Sequence, residues 1–136
     1  MDLTVRSLDQ VVDVSEKVGE FCRSKGIDER RSYFAGLCLE EMAGNIVVHG
    51  FEKDRKSHVV EIRVVILQER VVLRIKDDCI PFNPKECYEM TASGDPFANV
   101  GLWLVYGIAQ DISYQNLLGL NVLTITLSDS VSARGA

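Results

Sequence analysis

The residues LEEMAGNIVVHGF (39–51) decide the fold. They are apolar on most sides, yet Glu41, Asn45 and His49 recur at four-residue intervals. Four residues advance an α-helix by about 400°, so the three polar groups form one slowly drifting stripe. A helix this apolar belongs inside a domain. A carboxylate carried there needs a partner or an open cleft, because burying it bare costs several kcal/mol. Two readings stand at this level. The stripe is a solvated edge, or it presents a carboxylate, a carboxamide and an imidazole together to a polar ligand. In the second case Glu41 and Asn45, one turn apart, can orient a hydrated Mg²⁺ and activate a hydroxyl or water. Gly44 costs about 1 kcal/mol relative to Ala in a helix interior, a hint that something approaches closely there.

Working outward, LTVR (3–6) alternates as a short strand, and a helical apolar face follows with Ser7 as N-cap and Gly26 as stop. Asp28 is expected to cap the central helix, which runs from about Glu29 to Val48 and ends at Gly50. No capping box accompanies it, since Arg31 stands three residues on. HVVEIRVVIL (58–67) and VVLRIKD (71–77) are β-branched and joined by a turn short enough for a hairpin. Between residues 77 and 100 the pattern dissolves into Pro, Gly, Asn and Ser, except PKECYEM (84–90), which has room for one or two helical turns. GLWLVYGIAQ (101–110) reads as a helix, and DISYQN (111–116) with LNVLTITL (120–127) as a closing strand pair. The order β-α-α-β-β-loop-α-β-β predicts an α+β, two-layer α/β sandwich: a mixed, mostly antiparallel sheet, or a wholly antiparallel one, with helices packed on one face.

The chain of 136 residues, 46% hydrophobic and 26% charged, fits a single domain over 1–136 with material for a real core. A net charge of −5 argues against nucleic acid, which usually meets a basic face. MDLTVRSLDQVV (1–12) lacks the basic start and apolar run of a signal peptide, and charges or glycines break every apolar stretch, so no membrane span is expected. Cys22, Cys38, Cys79 and Cys87 show neither a C-x-x-C pair nor histidines at zinc spacing. Cys22 and Cys38 fit helical patterns as small buried thiols, and Cys79 and Cys87 read as a plain pair of thiols, with a disulfide across their eight-residue separation as the second reading. The expected compartment is the cytoplasm.

Two further stretches carry polar punctuation. In IKDDCIPFNP (75–84), Asp77 continues the parity of Val71, Leu73 and Ile75 and should point inward, with Asp78 pointing the other way. Both also fit plain turn chemistry. An inward carboxylate needs a donor, and a purine amino group is one. ASGDPFANVGLWLV (92–105) opens directly into a helix, whose free N–H groups and dipole suit a phosphate. Because Lys85 is the single basic residue between Asp77 and the last few residues, such a site would lean on backbone groups and a metal.

Taken in order, these segments resemble the histidine-kinase-like ATPases, specifically their anti-sigma-factor serine kinase branch. The family's first box, a Glu, an Asn four on, then His-Gly, is met by Glu41, Asn45, His49 and Gly50. Its second box, an Asp, a Gly two on, then Pro-Phe, is met by Asp77, Pro81 and Phe82. Its third, Gly-x-Gly-Leu-x-Leu-Val, is met by NVGLWLV (99–105). The resemblance implies ATP and Mg²⁺ as cofactors, Glu41 as general base and Asn45 as metal holder. It implies Asp77 as acceptor for the adenine amino group and Gly101 and Leu102 as phosphate donors. Cys79, Pro81, Phe82, Asn99, Val100 and Thr126 complete the nucleotide contacts it implies, and 83–100 would form a lid. For His49 the resemblance implies no more than capping or orienting its helix.

Members of this branch sequester a sigma factor and phosphorylate a serine of a small antagonist protein, and they often dimerise. The resemblance therefore implies a protein serine kinase with these partners, and no direct contact with nucleic acid or membrane. Cys79 and Asn99 depart from the pattern, standing where the boxes have Gly. A β-carbon at Cys79 is expected to crowd the base, and either change to weaken nucleotide binding about ten-fold. A second reading keeps the fold as a partner-binding module with weak or lost kinase activity. A third places it in another signalling circuit of the two-component type.

Overall fold

The computed structural model describes residues 1–51, 57–81 and 100–128, with the backbone alone for residues 100–103. The elements are β1 (Asp2–Val5), α1 (Asp9–Ser24), α2 (Glu29–Gly50), β2 (Val60–Leu67), β3 (Arg70–Asp77), α3 (Val100–Ile108), β4 (Asp111–Leu117) and β5 (Leu120–Leu127). The five strands form one sheet in the order β1-β2-β3-β5-β4. Every pairing is antiparallel, so of the mixed and the antiparallel sheet the element order allows, the antiparallel one is found among the described residues.

Alternation along each strand sends one set of side chains inward. Ile62, Leu73, Ile75 and Ile125 share a core with Val18 of α1, Leu39 and Met42 of α2, and Val105 of α3. Leu39 and Met42 are almost fully enclosed, each worth about 1.5–3 kcal/mol of burial. The opposite face carries Arg63, Arg74, Thr124 and Ser113 in one cross-strand row. The two hairpins turn tightly: Gln68 and Glu69 have φ of 49° and 66°, and Leu118 and Gly119 have 54° and 80°, the positive pair that two-residue hairpins favour.

The helices follow the sequence with two changes. α1 begins at Asp9, not after a capping Ser7, and its cap residue Leu8 is already helical. The Ser7 hydroxyl is used on the Asp9 carboxylate, which it helps hold below the ordinary range. At the other end Gly26 has φ of 86°, and the Ile27 N–H reaches back to the Cys22 carbonyl at 3.0 Å, satisfying the helix end. α2 starts after an extended Asp28 whose carboxylate accepts from the Arg31 guanidinium and makes no cap bond to the backbone. α1 and α2 lie close enough that a Cβ on Gly36 would sit 2.8 Å from the Ser15 carbonyl oxygen. The Ser15 hydroxyl in turn donates to the Gly36 carbonyl at 2.7 Å. Burial pushes the Cys22 thiol up to about 11 and the Cys38 thiol up to about 12, so both stay protonated packing groups, as expected.

Candidate functional site

The end of α2, the end of β3 and the β4–β5 hairpin enclose a cleft of about 580 Å³ counting its open mouth. Asn45 and His49 line one wall, with Met42 and Ile46 beside them. Asp77, Tyr114, Asn121 and Leu123 line the other, and Cys79 and Pro81 close one end. Of the two readings of the stripe, the cleft holds for Asn45 and His49. Glu41 sits one turn back, half-buried and outside this lining. Burial, and then the neighbouring Glu40, raise its carboxyl above the ordinary range.

Asp77 is buried, as its strand parity requires, and Asp78 is exposed. Two donors converge on Oδ1 of Asp77: the Cys79 N–H at 2.9 Å and Asn121 Nδ2 at 2.9 Å. Its other oxygen, Oδ2, takes no hydrogen bond among the described residues. No fully enclosed side-chain nitrogen or oxygen there lacks a partner, so Oδ2 lies open to the cleft. One oxygen is locked and the other is presented as an acceptor.

Asn121 makes that lock and was not singled out from the sequence. Its Nδ2 also donates to the Cys79 carbonyl at 3.0 Å, and its Oδ1 accepts from Tyr114 Oη at 2.6 Å and Asn116 Nδ2 at 2.9 Å. All its polar atoms are thus used, which fixes the amide at 4% exposure. A signal existed: Asn121 shares the inward parity of Leu123, Ile125 and Leu127, where a polar side chain is out of place.

At Cys79 the expectation is corrected in part, and at Gly44 it finds no partner among the described residues. The Cys79 side chain packs against the end of α2, where a Cβ on Gly50 would lie 2.9 Å from Cys79 Cβ and 3.0 Å from its Sγ. Cys79 also has no positive φ. Its β-carbon therefore fills space over Gly50 and needs no glycine-only conformation. At Gly44, an added Cβ would meet no described atom within 4 Å, so no close approach explains that glycine among the described residues.

Thr126 departs from its expected place. It pairs with Val72 and Asp111 on the sheet face opposite Asn121 and Leu123, and does not reach the cleft. Val100, Gly101 and Leu102 do form the first turn of α3, as the phosphate reading needs, with α3 packed on α2. Phe82, Asn99, Cys87, residues 83–99 of the lid expected over 83–100 and the helical turns expected over 84–90 lie outside the described residues.

Chemically, the cleft offers a fixed carboxylate acceptor and apolar walls on one side, and a carboxamide and imidazole on the other. That arrangement suits a flat heterocycle with an exocyclic amino group, joined to a polar, metal-associated tail. Asn45 fits as a holder of a hydrated cation, since its side-chain oxygen is the hard donor such ions take.

The profile of the histidine kinase-like ATPase domain matches residues 4–127. No curated protein sequence matches the chain. Among solved structures, the histidine kinase domain of the blue-light activated histidine kinase of Erythrobacter litoralis EL346 is 23% identical, with a TM-score of 0.52 over 71% of this chain and 43% of that one. A second structure of that blue-light activated histidine kinase is 18% identical, with a TM-score of 0.58 over 79% of this chain and 33% of that one. These likenesses concern the fold, and the chain spans less than half the length of either structure. No described helix is long and apolar enough to cross a membrane.

Proposed function

Because the chain belongs to the histidine kinase-like ATPase domain family, we propose that it binds Mg·ATP in this cleft and transfers the γ-phosphoryl group to a serine of a small antagonist protein. In the same reading it sequesters a sigma factor, in the manner of the anti-sigma branch its three boxes resemble. The observation that carries the nucleotide part is the half-locked carboxylate of Asp77, whose Oδ2 faces the cleft. An adenine amino group donates to such an oxygen, whereas a guanine carbonyl in the same place is repelled.

Asn45 would hold the metal, which would supply charge to offset the phosphates. Gly101 and Leu102 supply backbone N–H groups at the start of α3. Phosphoryl transfer asks little covalent chemistry of a protein beyond positioning, a metal and a base. Glu41 serves as the base: its half-buried carboxyl is raised toward the working range, so it accepts the serine proton more readily than an ordinary carboxylate. The localisation that goes with these partners is the cytoplasm, and the oligomer a homodimer.

The test is a calorimetric titration of Mg·ATP, repeated with Mg·GTP, with thermal melts alongside. Saturable binding of ATP alone is expected. A hundred-fold excess over Kd stabilises by about 2.7 kcal/mol, a rise in Tm of about 10 °C for a domain of this size. No heat and no thermal shift at millimolar ATP would overturn the nucleotide reading and leave a partner-binding module on this fold. Transfer is then read with γ-labelled ATP and a candidate serine antagonist; label that appears on histidine of the chain itself contradicts the serine kinase.

A further inference from the structure

At the end of β3 the chain splits its two aspartates. Asp77 serves the cleft, while Asp78 turns away to His58, whose Nδ1 lies 2.6 Å from Asp78 Oδ1. Continuing the β2–β3 register past Glu61↔Lys76 brings His58 across from Cys79. A ring nitrogen of His58, a carboxylate oxygen of Asp78 and Cys79 Sγ accordingly lie within 4.8 Å of one another. His58 and Cys79 are buried at 7% and 5% exposure, and the Asp78 side chain is 56% exposed.

We propose that His58, Asp78 and Cys79 form a binding site for a borderline-soft divalent cation, with Zn²⁺ the best match. The donor set decides the metal. Imidazole, carboxylate and thiolate together suit Zn²⁺, whereas Mg²⁺ and Ca²⁺ take oxygen almost exclusively. The site is thus chemically distinct from the Mg²⁺ position at Asn45. Three protein ligands leave a fourth position for water, the open arrangement of a tetrahedral Zn²⁺ centre.

The required movement is small. Bond lengths of about 2.0–2.3 Å place tetrahedral ligand atoms roughly 3.3–3.8 Å apart. The His58–Asp78 pair, at 2.6 Å, must open by about an ångström, and the sulfur, already within 4.8 Å of the other two ligand atoms, closes by at most about 1.5 Å. Asp78 is exposed and makes the adjustment, whereas His58 is held against the Phe51 ring at a centroid separation of 5.6 Å. Metal uptake takes Cys79 as thiolate and His58 as the neutral ring. The thiol proton, and any proton on the imidazole, leave to solvent, so affinity rises with pH.

The test is a Co²⁺ titration of the full chain after chelator treatment, in a thiol-free reductant and without nucleotide, followed by Zn²⁺ displacement. One equivalent should bind, with the near-ultraviolet thiolate-to-cobalt charge-transfer band that reports sulfur ligation. Cys79→Ser should abolish the band. Asp78→Asn, at an exposed position that leaves folding intact by circular dichroism, should weaken Co²⁺ at least ten-fold. A band that survives Cys79→Ser, an affinity untouched by Asp78→Asn, or no band at millimolar Co²⁺ would each overturn the site. Since no nucleotide is present, these results are independent of whether the cleft binds ATP.

Discussion

Replacing Gly50 with Ala would place a methyl carbon 2.9 Å from Cys79 Cβ and 3.0 Å from Cys79 Sγ. Carbon atoms pack best at about 3.5–4.0 Å, so the end of α2 and the second residue after β3 must part by roughly 0.6–1 Å. A new rotamer moves the sulfur away and leaves the Cβ contact unchanged, because Cβ is fixed to the backbone. Overpacking of this kind costs about 1–3 kcal/mol. Against it stands the helix propensity of Ala over Gly, at most about 1 kcal/mol and less at a helix's last residue. The expected net loss is about 1–2 kcal/mol, read as a lower urea midpoint at constant slope.

Cys79→Gly removes a buried thiol and adds backbone freedom, for a separate loss of about 1–2 kcal/mol. In the double variant the clash has no partner, so the two losses should fall short of their sum by at least about 1 kcal/mol. Gly50→Ala should also weaken nucleotide selectivity, because the Cys79 N–H and carbonyl are tied to Asp77 and Asn121. A Gly50→Ala protein as stable as the parent, or losses that simply add, would refute the packing of Cys79 on Gly50.

Four other outcomes are expected. Asp77→Asn can keep its oxygen on Cys79 and Asn121 while turning an NH₂ to the cleft, so the preference for ATP over GTP should fall at least about ten-fold; an unchanged ratio in competition titrations would exclude Asp77 from base recognition. Glu41→Gln should retain nucleotide binding and lose transfer. Because the folded carboxyl titrates above its unfolded value, its contribution to stability is full below the unfolded pKa and lost as pH rises through the folded one, so Glu41→Gln should melt higher than the parent at neutral pH. Melts across pH that show no such gain would contradict the burial. Gly44→Ala should add about 0.5–1 kcal/mol, since its methyl meets open space; a lower melting temperature would reveal an approach at that position. Asn121→Leu strips two donors from buried acceptors and should cost about 2–4 kcal/mol; a loss below about 1 kcal/mol would mean that water replaces the amide.

The local pattern carried much of this molecule. The stripe of Glu41, Asn45 and His49 is a matter of 3.6-residue periodicity, and the inward turn of Asp77 a matter of period two; neither needs a partner to be read. The two hairpins are equally local, because their strands adjoin in sequence. Asn121 went unread although parity marks it, because its meaning depends on a neighbour 44 residues away.

That neighbour follows from strand order alone. β5 inserts between β3 and β4, and the register Asp77↔Asn121 sets an amide against a carboxylate. The same register turns Thr126 to the far face, where its family-like position in the sequence no longer serves the cleft. Cys79 and Gly50 likewise meet across segments with no local relation. Periodicity along the chain determines which way a side chain faces. What it faces depends on long-range pairing and close packing, where a shift of one residue in register reverses every assignment.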